Sequence, residues 1–127
     1  MPKPKKTKSN PTGGQNGAQY ISELMLEKKA LDILIMDVRK ITTLTDFFVV
    51  CTSESEPQTR AITDHINERM KESGVKSWHT EGYQNLEWVL IDFVNIVVHV
   101  FSKGAREYYQ FERLWADGKI TYVRDQV

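Results

Sequence analysis

From Ala18 onward the apolar positions Ile21, Leu24, Met25 and Ala30 recur at helical spacing, with Glu23, Glu27, Lys28 and Lys29 elsewhere on the wheel. This predicts a first amphipathic helix. Asp32 to Val38 is too short for a typical helix and rich in branched residues, so it reads as a mostly buried strand. Phe47 to Thr52 reads as a second. About eight residues separate the two, whereas a parallel crossover needs roughly a dozen, so the pair, if adjacent, is antiparallel.

Ser55-Glu56-Pro57-Gln58 has the Ser-x-x-Gln spacing of a capping box, with proline in the first turn. A helix is predicted there, with Ala61, Ile62, Ile66 and Met70 as its stripe and Gly74 as a left-handed cap. A strand at Lys76 to Thr80 would follow by a right-handed crossover, parallel to the second if both lie in one sheet. Glu87 to Phe93 and Ile96 to Phe101 predict a hairpin turning near Val94-Asn95, where the asparagine takes positive φ at low cost. A last helix is predicted from Ala105 to Trp115, ended by Asp117-Gly118. The order α-β-β-α-β-β-β-α predicts an α/β single domain, a mixed five-stranded sheet flanked by helices. The domain is placed at 17–118, between a basic tail at 1–16, expected to be disordered, and a C-terminal tail at 119–127.

Charge refines this reading. The 17 basic and 17 acidic residues of the 127-residue chain cancel, but Lys3, Lys5, Lys6 and Lys8 sit in the tail without an acidic partner. Residues 17–127 therefore hold 13 basic against 17 acidic groups, a net of −4. The domain leans toward a basic partner and away from naked phosphate, while the tail would make a weak, salt-sensitive contact with RNA. A third reading, RNA binding by the domain itself, needs a basic patch that this balance disfavours.

The longest apolar runs fall far short of the roughly 20 residues needed to span a bilayer, and no signal-peptide core follows Met1, so no membrane association and a cytoplasmic location are expected. The single cysteine, Cys51, forms neither an internal disulfide nor a cysteine-built zinc site. It lies in a Phe-Phe-Val-Val-Cys run and reads as an inert core residue rather than a nucleophile. His65, His79 and His99 show no metal-type spacing, and no phosphate-loop pattern is present. Asp37, Asp46 and Asp92 fall at strand ends, where carboxylates can hold magnesium for nucleotidyl transfer, but no Asp-x-Asp pair accompanies them. The reading is of a chain that is not an enzyme, with no metal and no cofactor, and a magnesium-dependent nucleotidyltransferase-type enzyme stands as the alternative.

The informative segment is Ala105 to Trp115. On a continuous helix Tyr108, Tyr109, Phe111, Leu114 and Trp115 cover more than half the circumference, with Glu112 inside that arc. Two readings stand at this point. In one, Tyr108, Phe111 and Trp115 fill the core while Glu112 pairs with Arg106 or Arg113. In the other, the aromatics with Trp88 and the acid form an interface awaiting a partner's cation.

From Tyr20 to Trp115 the chain resembles the ribosomal silencing factor family, also called Iojap-related. The resemblance rests on Asp37-Val38, Thr45-Asp46-Phe47-Phe48-Val49-Val50-Cys51-Thr52, Ser55 with Gln58, Ala61-Ile62, Glu81-Gly82 and Trp88-Val89-Leu90-Ile91-Asp92. Val97-Val98-His99-Val100-Phe101 follows, then Arg106 with Tyr109, Glu112, Leu114 and Trp115. It implies a nucleotidyltransferase-like fold without established catalytic machinery, and binding to the large ribosomal subunit at its fourteenth ribosomal protein. That binding would block small-subunit joining and repress translation when nutrients are scarce. A homodimer when free is implied as well. By position, Glu81, Gly82, Trp88, Asp92, Arg106, Tyr109, Glu112 and Trp115 match the family's motif residues and are the expected partner-binding set. Three positions depart from the family pattern: Ser53 and Val94 stand where glycine is usual, and Glu87 where aspartate is usual.

Overall fold

The computed structural model describes residues 14–123. The lysines of the basic tail and residues 124–127 lie outside the described residues. The chain runs α1 (Gly14–Glu27), β1 (Leu31–Asp37), β2 (Phe47–Ser53), α2 (Glu56–Glu72), β3 (His79–Glu81), β4 (Trp88–Asp92), β5 (Ile96–Ser102), α3 (Lys103–Tyr109), α4 (Phe111–Leu114) and β6 (Lys119–Val123). One mixed sheet carries the strands in the order β3-β4-β5-β2-β1-β6. It has six strands rather than the expected five. The sixth comes from the segment assigned to a C-terminal tail: Lys119–Val123 pairs antiparallel with β1, Leu34 against Tyr122 and Met36 against Ile120. At the other terminus, α1 takes in residues 14–16 of the expected basic tail.

β1 and β2 are antiparallel, as their short connection requires. The centre of the sheet is the parallel pair β2 and β5, in register from Phe47 opposite Ile96 to Ser53 opposite Ser102. β3 is three residues long and begins later than expected, at His79. It runs in the same direction as β2 but lies at the sheet edge, paired antiparallel with β4, because the antiparallel β4–β5 hairpin inserts between them.

Strand alternation divides the core in two. On one face Val49, Cys51, Val89, Ile91, Val98 and Val100 pack against Ile21 and Met25 of α1 and Ile62, Ile66 and Met70 of α2. On the other, Leu34, Met36, Phe48, Val50, Val97 and Phe101 pack against Ala105 and Phe111.

Local chemistry sets the element ends. Ser55 caps α2 by accepting from the Gln58 N–H at 3.2 Å, with Pro57 in the first turn. The reciprocal half of the box is displaced by one residue: Gln58 Oε1 accepts from the Glu54 N–H at 2.7 Å. The Gln58 amide donates to the carbonyls of Lys28 and Lys29 at 3.1 and 3.0 Å, tying the end of α1 to the start of α2. Gly74, at φ 89°, closes α2 with the Val75 N–H bonded to the Met70 carbonyl, a Schellman arrangement.

Two expectations about turns are corrected. In the β4–β5 hairpin the residue at positive φ is Val94, at 77°, not Asn95. The turn is enforced from outside: the Val94 N–H donates to Asp92 Oδ1 at 2.7 Å, and Thr45 Oγ1 donates to the Val94 carbonyl at 3.0 Å. The single helix expected over Ala105–Trp115 is broken at Gln110, which adopts φ 48°, ψ 52°. A stripe covering more than half a helix cannot be buried by one sheet face. The break turns Phe111 inward, 4% exposed, and leaves Tyr108 and Leu114 outside at 80% and 71%.

Candidate functional site

The sheet face bearing α3 is only partly roofed. α3 packs on β5 and β2, while Trp88 and Leu90 of β4 remain half-buried. Register places these side chains on known rungs: Trp88 opposite Phe101, Leu90 opposite His99, and Glu81 of β3 opposite Leu90. Glu81 and Leu90 therefore share the open face with Trp88.

Trp88 is the centre of an aromatic assembly. Its ring stacks on Phe101 (centroids 4.8 Å apart, 29° between planes) and meets Tyr109 at 5.0 Å. Phe111 sits 6.1 Å from Trp88, 4.4 Å from His99 and 6.5 Å from Trp115, and so links the two tryptophans. Trp115 rests on Phe48 at 4.9 Å. The Trp88 indole N–H donates to His99 Nδ1 at 3.0 Å. Burial pushes the His99 pKa down to about 3, so the imidazole is neutral near pH 7.

The expected partner-binding residues separate into groups. Glu81, Gly82, Trp88 and Tyr109 come together around the half-open face of β4. Gly82, at φ 82°, brings its backbone against the Trp88 carbonyl, where a Cβ would run into the oxygen. Arg106 and Glu112 instead satisfy each other: Arg106 Nε donates to Glu112 Oε1 at 3.0 Å and Nη2 to Oε2 at 3.3 Å. Arg106 Nη1 donates to the Asp32 carbonyl at 2.9 Å and to Thr52 Oγ1 at 2.8 Å. With the Arg106 side chain only 11% exposed, this is a tether joining α3, α4, β1 and β2. Asp92 is buried and occupied by the Val94 N–H. Of the two readings of this segment, internal pairing of Glu112 with Arg106 is the arrangement found, but Tyr108 stays outside the core.

Leu90, His99 and Phe111 belong to the assembly and were absent from the expected set. The signal for the first two was parity: in alternating strands both fall on the face that carries Trp88.

A cavity of about 440 Å³ opens beside the tether, lined by Lys103, Arg106, Glu107, Gln110, Glu112 and Arg113 among others, cations balanced by anions. Asp37 is engaged by Arg39 through a hydrogen bond of 2.6 Å, which holds its carboxyl below the usual range. Among the described residues no group of three or more His, Cys, Asp or Glu is arranged to hold a metal ion, and no helix is long and apolar enough to cross a membrane. Burial pushes the Cys51 thiol up to about 12, partly opposed by the Arg106 charge. Cys51 is therefore an inert thiol in the core.

Comparison with known proteins agrees with this architecture. The family model described as "Ribosomal silencing factor during starvation" matches residues 12–126. A ribosomal silencing factor from Bacillus subtilis is 38% identical over 94 residues, 74% of this chain and 80% of that protein. One from Chromobacterium violaceum is 36% identical over 109 residues, 83% and 89% of the respective chains. The maize chloroplastic Iojap protein is 31% identical over 103 residues, 79% of this chain and 43% of that one. A crystal structure of a Bacillus halodurans protein superposes with TM-score 0.75 at 34% identity, covering 88% of this chain and all of the other. A Chromobacterium violaceum crystal structure gives 0.71 at 35%, covering 85% and 93%. With the family model, these relatives and the shared fold in agreement, the chain belongs to the ribosomal silencing factor family.

Proposed function

We propose that this protein binds the large ribosomal subunit at its fourteenth ribosomal protein and, by occupying that position, prevents the small subunit from joining. The observation that carries the reading is the half-open face of β4, which Leu90 shares with Trp88 and where Trp88 lies against Tyr109, itself 45% exposed. Large amphipathic rings in this state are what the centres of protein interfaces concentrate. Glu81, exposed and opposite Leu90, edges the strip and favours a basic partner. The contact asks for one patch of about 800 Å² per partner. Repression then follows from mutual exclusion and needs no chemical step.

In this proposal Glu81, Trp88, Tyr109 and Trp115 meet the partner, Gly82 sets the approach of β3 to β4, and Asp92, Arg106 and Glu112 hold the scaffold. The same strip would be covered by a second copy in a free homodimer. The tail lysines would add a weak RNA contact, and the site of action is the cytoplasm. The nucleotidyltransferase-type alternative is not favoured, because Arg39 engages Asp37 and the Val94 N–H engages Asp92.

The test is sedimentation of purified large and small subunits with saturating protein. Joined particles are expected to fall, and Trp88→Ala is expected to restore them by weakening binding about tenfold or more, as an interface hot spot does. Equal joining with and without the wild-type protein would end the proposal.

A further inference from the structure

His99 does nothing obvious for a docking surface: it is 3% exposed and lies beneath Trp88. Its chemistry is nevertheless unusual for a core position. Nδ1 accepts the indole N–H of Trp88, so the proton of the neutral ring sits on Nε2. Nε2 is buried without a hydrogen-bond partner, and the imidazole centroid lies 5.1 and 4.4 Å from those of Phe48 and Phe111. A buried donor left without a partner costs stability that an apolar residue of similar size avoids. Its neighbours on the same rung are Leu90 and Val50, so a leucine would suit the packing. What a leucine cannot do is accept the indole proton.

We propose that His99 is a positioning residue for the docking strip, locking the Trp88 indole with its N–H turned inward so that the ring offers its partner only apolar surface. The inference rests on the reading of β4 as the ribosome-facing strip. The lock acts at three points: Phe101 stacks under the ring, Tyr109 lies against it, and His99 fixes its rotation. Without the acceptor, the inward-turned N–H would seek water by turning the ring outward and disordering the strip before a partner arrives, and pre-organisation of that kind contributes to affinity.

The experiment uses ¹⁵N-tryptophan-labelled full chain, with the Trp88 indole resonance assigned by its loss in Trp88→Phe, alongside binding to purified large subunits. In the wild type this indole N–H is expected to exchange slowly with solvent. In His99→Leu it is expected to lose protection while thermal stability is kept or raised, and affinity for the large subunit is expected to fall about five- to thirtyfold. His99→Asn, whose Oδ1 lies near the position of Nδ1, is expected to restore both protection and affinity. A purely structural histidine would instead lose stability and affinity together in His99→Leu. Wild-type affinity in His99→Leu, or fast exchange of the Trp88 indole in the wild type, would overturn the proposal. Failure of the wild type to bind large subunits at all would count against the functional reading beneath it. Should His99→Leu not fold, the wild-type exchange rate and His99→Asn still decide the matter.

Discussion

Arg106 and Glu112 are joined by two hydrogen bonds, 3.0 and 3.3 Å, across the left-handed break at Gln110. The six-residue separation is not one that a continuous helix brings face to face. The break is what permits the pair, and the pair in turn holds α4 and Phe111 against the sheet.

Removing the guanidinium should therefore be felt at several places at once. Arg106→Ala is expected to cost about 2–4 kcal/mol in urea unfolding, since it strands the Glu112 carboxylate, the Asp32 carbonyl and Thr52 Oγ1. Arg106→Lys should recover little, because one ammonium cannot reproduce the planar fork. A lysine variant within about 0.5 kcal/mol of wild type would contradict the tether.

Gln58→Glu separates the observed cap from an ordinary capping box. In the ordinary box either residue serves, whereas here the amide donates to two carbonyls that a carboxylate would confront oxygen to oxygen. The expected loss is about 1–2 kcal/mol by chemical denaturation. Equal stability of the two would mean that the amide bonds to Lys28 and Lys29 contribute nothing.

Two positions of positive φ give opposite expectations. Gly82→Ala forces a Cβ into the Trp88 carbonyl and should destabilise by about 2–3 kcal/mol while weakening large-subunit binding. Val94→Gly relieves a branched residue held at φ 77° and should stabilise by about 1 kcal/mol, the strain released exceeding the entropy that glycine adds to the unfolded chain. Thermal melts of both variants check the pair, and a less stable Val94→Gly would show that Asp92 and Thr45 impose that turn without strain.

His99 links stability to pH. Its pKa falls from 6.5 to about 3 on folding, so below pH 6.5 the unfolded chain binds a proton that the native state refuses. The stabilisation is complete above pH 6.5 and is lost as pH falls through the window toward about 3, at roughly 1.4 kcal/mol per pH unit. Between pH 7.5 and 5.5 the wild type should thus lose about 1.4 kcal/mol more than His99→Leu. Subtracting the two profiles cancels the carboxylates, including Asp37. Parallel profiles would mean that His99 is not held neutral.

The parts of the fold legible in the sequence are those decided locally. β1 and β2 are runs of branched and aromatic residues, and Ser55, Pro57 and Gly74 mark α2 by their own backbone chemistry. What escaped was decided elsewhere in the chain. Nothing in Tyr109-Gln110-Phe111 announces a left-handed residue, because the break answers to how much of the stripe the sheet can bury. Val94 takes positive φ against its own preference because Asp92 and Thr45 hold the turn. β6 carried a signal, the run of branched and aromatic residues Ile120-Thr121-Tyr122-Val123, but its pairing depends on the edge that β1 leaves open. At the candidate site, Trp88 stood out by its residue type, whereas which of Tyr108 and Tyr109 lies against it, and what Glu112 does, depend on the break at Gln110 and on Arg106.

The parallel register of β2 with β5 also constrains how the protein is made. Its two central strands lie roughly fifty residues apart in sequence, so their pairing carries a large loop-closure cost and comes late relative to the local β1–β2 and β4–β5 pairs. During synthesis the Phe47–Ser53 edge must wait, unpaired on one side, until the chain has grown past Ser102. A nascent copy is thus at its most aggregation-prone while still attached to the kind of particle that its finished form is proposed to restrain.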